Sequence, residues 1–283
     1  MVPEVARVSV PGHVTGCFSV HRDPDPQIAG SRGAGITLTD GATVVVDRTG
    51  SPDLELDGTK TTMASVEHVL ATLDVEPAVQ VETAVPVGAG FGISGAVALG
   101  VALGANAVYA CGHTENDLVA IAHAAEVEAS TGLGDVVAQA RGGAPIRREP
   151  GAPPHGTLDG IPAGGRIEYV TFGELSTAAV IGGDTGAIND AGAAALRTIL
   201  DDPTLSAFMS ASRTFAREAA LLTPSVERAI EHVVDAGGEA TMAMLGDTVV
   251  ALGTGLSDAG YEPAACSIAH AGVQIEAGSG CFS

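Results

Sequence analysis

Apolar and polar positions along the chain fall into two recurring patterns, one with the period of a strand and one with the period of a helix. Val5 to Val10 alternates toward a strand that should stop at Pro11-Gly12. Gly35 to Leu38 and Ala42 to Asp47 flank Thr39-Asp40-Gly41 in the manner of a hairpin. Thr61 to Leu73 has helical spacing, and Val79 to Val85 reads as a further strand. Past a glycine-rich segment at 88–95, the run AVALGVALGANAVYA predicts a buried helix of small residues. A second helix should start near Thr114, where Asp117 completes a capping-box pattern, and end near Ala129.

Proline and glycine then gather in EPGAPPHGTLDGIPAGG, which marks a boundary between an N-terminal domain (1–155) and a C-terminal domain (156–283). The second half predicts strands at Arg166 to Phe172 and Ser176 to Gly182, and helices over 190–201, 203–220 and 224–236. Strands return at 239–245 and 247–253. Elements in this order, without a steady βαβ rhythm, indicate an α+β class rather than a doubly wound sheet. The chain carries no internal repeat.

Length agrees with two lobes, since 283 residues exceed the size of roughly 250 at which single cores stop growing. The core must be built from Ala, Val, Gly and Leu, because Trp is absent and aromatic residues make up only 3%. A net charge of −21, with Lys60 the only lysine, argues against nucleic-acid and anionic-membrane partners. Carboxylates spread along the whole chain fit salt adaptation: at molar salt the Debye length falls to about 3 Å and their repulsion is screened. A halophilic source is one reading; an ordinary acidic cytosolic enzyme is the other. No apolar stretch of about 18 residues occurs, and Glu4 stands where a signal peptide would be basic, so a cytoplasmic protein is expected. Cys17, Cys111, Cys266 and Cys281 lack zinc or disulfide spacing and read as idle thiols.

The segment PVGAGFGISGAVALG joins a strand to a helix, a turn that aims backbone N–H groups and the positive helix end at an anion such as phosphate. A tightly packed loop with no ligand is the plain alternative. Gly90 to Gly95 also satisfies GxGxxG, but the acidic-tipped strand a dinucleotide site requires is missing, since Glu115 falls at the start of the next helix. A Walker A loop is excluded because the lone lysine lies in Asp57-Gly58-Thr59-Lys60-Thr61.

His123 and Glu126 are three apart and share one helix face, while Glu128 lies elsewhere. Buried among alanines, such a pair would need a metal or a substrate carboxylate; otherwise it is a solvent-facing stripe. The glycines of Ser130-Thr131-Gly132-Leu133-Gly134 then introduce Asp135 at the start of an expected apolar strand. Asp135 is either a catalytic carboxylate or a turn residue.

A Gly/Ser loop opening a helix, a Glu on the next helix and an Asp after a Gly-rich turn together resemble the GHMP kinases. Pro86-Val87-Gly88-Ala89-Gly90-Phe91-Gly92-Ile93-Ser94-Gly95-Ala96 has one serine where most of that group have two. This variant is similar to the branch that acts on pantoate, as are PGHVTGCF (11–18), GSRGAG (30–35) and ATMAMLG (240–246).

The resemblance implies a two-lobed fold, with an N-terminal domain like part of ribosomal protein S5 and a ferredoxin-like C-terminal domain. It implies ATP and Mg²⁺, with Pro86, Gly88, Gly90, Gly92, Ile93, Ser94 and Gly95 around the phosphates. Ser94 and Glu126 would hold the metal, Asp135 would deprotonate or orient the substrate hydroxyl, and Ser31, His123 and Arg147 would bind pantoate. For Arg147 the plain alternative is a surface arginine beside Arg148. Another acceptor of the same group (homoserine, mevalonate or shikimate) and a non-catalytic nucleotide sensor compete with this reading, and a homodimer is left open.

Overall fold

A computed structural model describes residues 2–173, 183 and 185–277. Two long strands organise it. β1 (Val5–His21) and β2 (Gly30–Asp47) pair antiparallel from Val5↔Asp47 to His21↔Gly30. The strand expected to stop at Pro11-Gly12 therefore runs on, and the hairpin expected around Thr39-Asp40-Gly41 is instead a kink inside β2. Pro11 pairs with Gly41 and Gly12 with Leu38, so Thr39 and Asp40 bulge out of the ladder. A proline inside a strand is tolerated at such a bulge, which a reading of local turn residues takes for a stop. Gly41 is required there, because a Cβ would lie 2.1 Å from the Val10 carbonyl oxygen.

Around this pair the first sheet runs β12-β1-β2-β5-β3-β4, with β6 on the far half of β2 and β7 beside β6. β3 (Asp53–Leu56), β4 (Thr59–Thr61) and β5 (Ala78–Thr83) lie on one side. β6 (Ala144–Glu149) and β7 (Thr157–Ile161) continue the other half, and β12 (Gln274–Ala277) covers the edge of β1. The second sheet is antiparallel in the order β11 (Ala264–Ser267), β8 (Arg166–Gly173), β10 (Asp247–Leu252), β9 (Ala240–Ala243). Division at 155/156 thus does not follow the sheets: β7 and β12 both come from the second half and join the first sheet. The strand expected at Ser176 to Gly182 lies outside the described residues, as does Cys281.

On the first sheet pack α2 (Ile93–Tyr109) and α4 (Asp135–Arg141), while α1 (Ala64–Leu73) and α3 (Glu115–Glu128) pack on α2 and on each other. α2 is buried over most of its length because Gly100 and Gly104 let its backbone settle onto β2; a Cβ at either would meet Val44 or Val46 at 2.6 Å. α3 starts with the predicted capping box, Thr114 and Asp117 bonding reciprocally. Asp135 opens a helix rather than the expected strand, since a short apolar run such as Asp135-Val136-Val137-Ala138 has no decisive period. α5 (Gly186–Asp201) and α6 (Leu205–Glu218) pack against β1, α7 (Pro224–Asp235) against β9 and β10, and α8 (Gly255–Asp258) against β8. None of the described helices is long and apolar enough to cross a membrane.

Candidate active site

The loop from Pro86 to Gly92 delivers the chain from β5 to the start of α2 with Gly88, Gly90 and Gly92 all at positive φ. Only glycine takes that conformation without strain, and the result is a turn whose first helical N–H groups have no side-chain cap. The helix terminus contributes roughly half a positive charge there. Three contacts hold the loop from beneath. The His13 N–H donates to the Phe91 carbonyl at 2.9 Å, Gln139 Nε2 donates to the Gly92 carbonyl at 2.9 Å, and Gly246 presses so closely that a Cβ on it would sit 2.0 Å from the Ala89 oxygen. A dinucleotide site is excluded by connectivity, because α2 is followed by α3 and not by a strand.

Ser94, one residue into α2, donates its hydroxyl to Glu126 Oε1 at 2.6 Å. Thr131 Oγ1 donates to the same oxygen at 2.9 Å, and Ser65 Oγ lies 3.3 Å from Ser94 Oγ. Glu126 is 2% exposed, so the solvent-facing stripe is ruled out. Burial pushes its carboxyl pKa up, against the hydrogen bonds from Ser94, Ser65 and Thr131, so the ionised form lacks a full counter-charge. A Cβ on Gly132 would lie 2.6 Å from Glu126 Oε2 and 3.4 Å from Asp135 Oδ2, so both carboxylates border the space this glycine leaves open. Two carboxylates and hydroxyls suit a hard cation that takes its remaining ligands from phosphates and water, and this donor set fits Mg²⁺. Among the described residues no cluster of three or more His, Cys, Asp or Glu offers an all-protein metal cage.

Asp135 stands at the centre. Oδ1 accepts a 2.7 Å hydrogen bond from His13 Nδ1, while the side chain remains 23% exposed toward a small cavity of about 30 Å³. Burial raises the carboxyl pKa, but the His13 bond and the nearby Arg147 charge outweigh it and hold the group below the usual carboxylate range. The same carboxylate borders the phosphate loop: a Cβ on Gly92 would be 3.0 Å from Oδ1.

Opposite Asp135 the cavity is lined by Ser31 and Arg147, with Phe18 and Leu245 as apolar walls. Arg147 is no surface arginine; it is 2% exposed, and β6 places it across from Gly33 of β2. Its described hydrogen bonds all go to neutral oxygens: Ser31 O at 3.3 Å, Gly134 O at 3.4 Å and Ser31 Oγ at 3.0 Å. A buried guanidinium whose described hydrogen bonds all go to neutral oxygens, with the Asp135 carboxylate acting on it only through space, is suited to receive an anion. His123, also buried, donates Nε2–H to the Ala29 carbonyl at 2.8 Å, and its Cε1 would lie 3.4 Å from a Cβ placed on Gly30. It therefore shapes the strand start that carries Ser31 rather than lining the cavity.

The structure thus brings together Ser94, Glu126, Asp135, Ser31 and Arg147 with the loop residues 86–95, and sets His123 one step behind. Six side chains that sequence reasoning had not assigned join them: His13, Phe18, Ser65, Thr131, Gln139 and Leu245. Three had a signal, since His13 and Phe18 sit in PGHVTGCF and Leu245 in ATMAMLG, both segments carrying the family resemblance. Ser65, Thr131 and Gln139 had none, because a hydroxyl or amide on a helix or in a turn is commonplace until its neighbours are known.

Residues 60–143 match the family model described as GHMP kinases N terminal domain. A pantoate kinase from Thermococcus kodakarensis is 33% identical over 264 residues, covering 87% of this chain and 87% of that protein. A pantoate kinase from Methanospirillum hungatei JF-1 is 30% identical over 267 residues, covering 88% and 89% respectively. A solved structure described as a phosphotransferase related to the CoA biosynthesis pathway superposes with a TM-score of 0.84 at 28% identity, covering 98% of this chain and 100% of that one.

Proposed function

The chain belongs to the pantoate kinase family of the GHMP kinases, and from that premise we propose that it transfers the γ-phosphoryl group of ATP to the primary hydroxyl of pantoate. The products are 4-phosphopantoate and ADP, on the route to coenzyme A. One observation carries the residue assignments: Asp135 borders both the phosphate loop at Gly92 and the cavity of Ser31 and Arg147. A group that meets the attacking hydroxyl during an in-line transfer must border both the phosphates and the acceptor, and the position of Asp135 supports that reading.

Each part then has a task. Backbone N–H groups at the start of α2, reached over Gly88, Gly90 and Gly92, hold the phosphate oxygens of ATP. Ser94 and Glu126 would hold Mg²⁺, which would supply positive charge to offset that of the ATP phosphates. Arg147 takes the pantoate carboxylate as a bidentate partner, with Ser31 donating alongside. His123 keeps Gly30 and Ser31 in place.

Asp135 is ionised at neutral pH because its pKa lies below the ordinary value. Such a carboxylate is a weak base toward an alcohol but a good hydrogen-bond acceptor. Its role is to orient the hydroxyl and to take the proton late, once the bond to phosphorus has begun to form, which a loose transition state permits. Replacing Asp135 with Asn keeps the shape and removes the charge. Turnover should fall by about 10²–10⁴-fold while ATP still raises the melting temperature. Undiminished turnover in the Asp135→Asn protein would remove Asp135 from the chemistry.

A further inference from the structure

We infer that His13 is a positioning residue for phosphoryl transfer, holding Asp135 in one orientation and in register with the phosphate loop. The inference rests on the reading of Asp135 as the group that meets the acceptor hydroxyl.

His13 is fully buried on β1, directly after the bulge at Pro11-Gly12. It does not line the cavity, so it reaches the substrates only through other groups. Its backbone N–H donates to the Phe91 carbonyl of the phosphate loop at 2.9 Å, and its ring Nδ1 lies 2.7 Å from Asp135 Oδ1. One residue thereby ties together the two parts whose separation decides whether donor and acceptor align.

The other ring nitrogen shows which way the ring is used. Nε2 is buried and has no hydrogen-bond partner among the described residues; it lies beside Gly35, where a Cβ would come within 2.2 Å of it. With no acceptor at Nε2, the single proton of the neutral ring sits on Nδ1 and points at Asp135. Burial lowers the ring pKa, which agrees with a neutral imidazole. A histidine kept only for packing would satisfy both nitrogens or give way to an apolar side chain, since an unpartnered buried nitrogen costs stability. What this ring does achieve is to occupy Oδ1, leaving Oδ2 as the oxygen on the Gly132 side. A carboxylate held at one oxygen cannot rotate to present either one at random, so the free oxygen has a fixed direction.

The test compares three substitutions at His13, each alone and combined with Asp135→Asn, in steady-state assays with ATP and pantoate. An asparagine amide nitrogen occupies the place of Nδ1, whereas a glutamine amide reaches the place of Nε2. His13→Asn should keep kcat within about 10-fold of the parent, and His13→Gln and His13→Ala should lower it by roughly 10²-fold. The KM values for both substrates should move less than about 3-fold. In the Asp135→Asn background His13→Ala should bring little further loss, since the two side chains act as one unit. If His13→Ala does not fold, the contrast between Asn and Gln decides alone. Equal loss in Asn and Gln, or full additivity with Asp135→Asn, would overturn the positioning role. An active Asp135→Asn protein would instead overturn the reading of Asp135 on which the inference stands.

Discussion

Gly134→Ala isolates the anion pocket from the rest of the site. An alanine at Gly134, the residue directly before α4, adds a methyl group beside Arg147. Its Cβ would lie 2.5 Å from Arg147 Nε, 2.7 Å from Cζ and 2.8 Å from Ser31 Oγ, where ordinary contact begins at 3.4 Å. Arg147 is buried and held by Ser31 and Gly134 carbonyls, so it cannot swing into solvent; the guanidinium must shift within its pocket by about 1 Å, a displacement of the size that costs about 10²-fold when it misplaces a substrate group. An independent route reaches a similar figure. Losing a charge-assisted bidentate contact is worth about 1.5–3 kcal/mol, or roughly 10- to 150-fold in affinity. The assay is ADP release with pantoate and ATP each varied in turn. The KM for pantoate should rise about 10²-fold with the KM for ATP little changed. Gly58→Ala supplies the control: Gly58 has φ +76° with open space around the added methyl, so it should lower stability by about 1–2 kcal/mol and leave both KM values alone. An unchanged pantoate KM in folded Gly134→Ala would refute the assignment of Arg147 and Ser31 to the substrate.

Two other substitutions probe the metal site and the core. Ser94→Ala removes the hydroxyl that bonds Glu126 at 2.6 Å, and should raise the Mg²⁺ concentration needed for half-maximal turnover by about 10-fold or more; a magnesium titration at saturating ATP reads this directly, and an unshifted midpoint would take Ser94 out of the metal site. Gly100→Ala sets helix propensity, a gain of about 1 kcal/mol, against a clash with Val44 at 2.6 Å on the opposing strand. Overpacking of about 1–3 kcal/mol should win, so urea unfolding is expected to show a lower midpoint, and a stabilised variant would mean that α2 does not settle as closely on β2 as described.

Much of this was legible before the structure. Helices α1, α2, α3, α6 and α7 are legible from the spacing of apolar and small residues, with a cap marking the start of α3, and the loop at 88–95 stands out because a strand, several glycines and a helix start occur together. Less legible was everything decided by partners distant in sequence. The Pro11-Gly12 pair reads as a stop and is a bulge, since its meaning depends on Gly41 across the ladder. β12 joins β1 from the other end of the chain, and β7 hides in a segment whose composition marks a linker. In the candidate site, Ser94, Glu126 and Asp135 stand out in the sequence by residue type and spacing and Arg147 through the resemblance, whereas His13 is one letter of a motif. Its significance is a 2.7 Å contact across 122 residues, and no local pattern encodes that.

The measurement that bears most directly on the central claim is ADP release from Mg²⁺-ATP in molar KCl, with pantoate, homoserine, mevalonate and shikimate offered in parallel to the same preparation. Turnover is expected with pantoate, with no more than background ADP from the other three. Phosphorylation of another acceptor, with pantoate inert, would contradict the account, as would a folded, ATP-binding protein that phosphorylates none of the four.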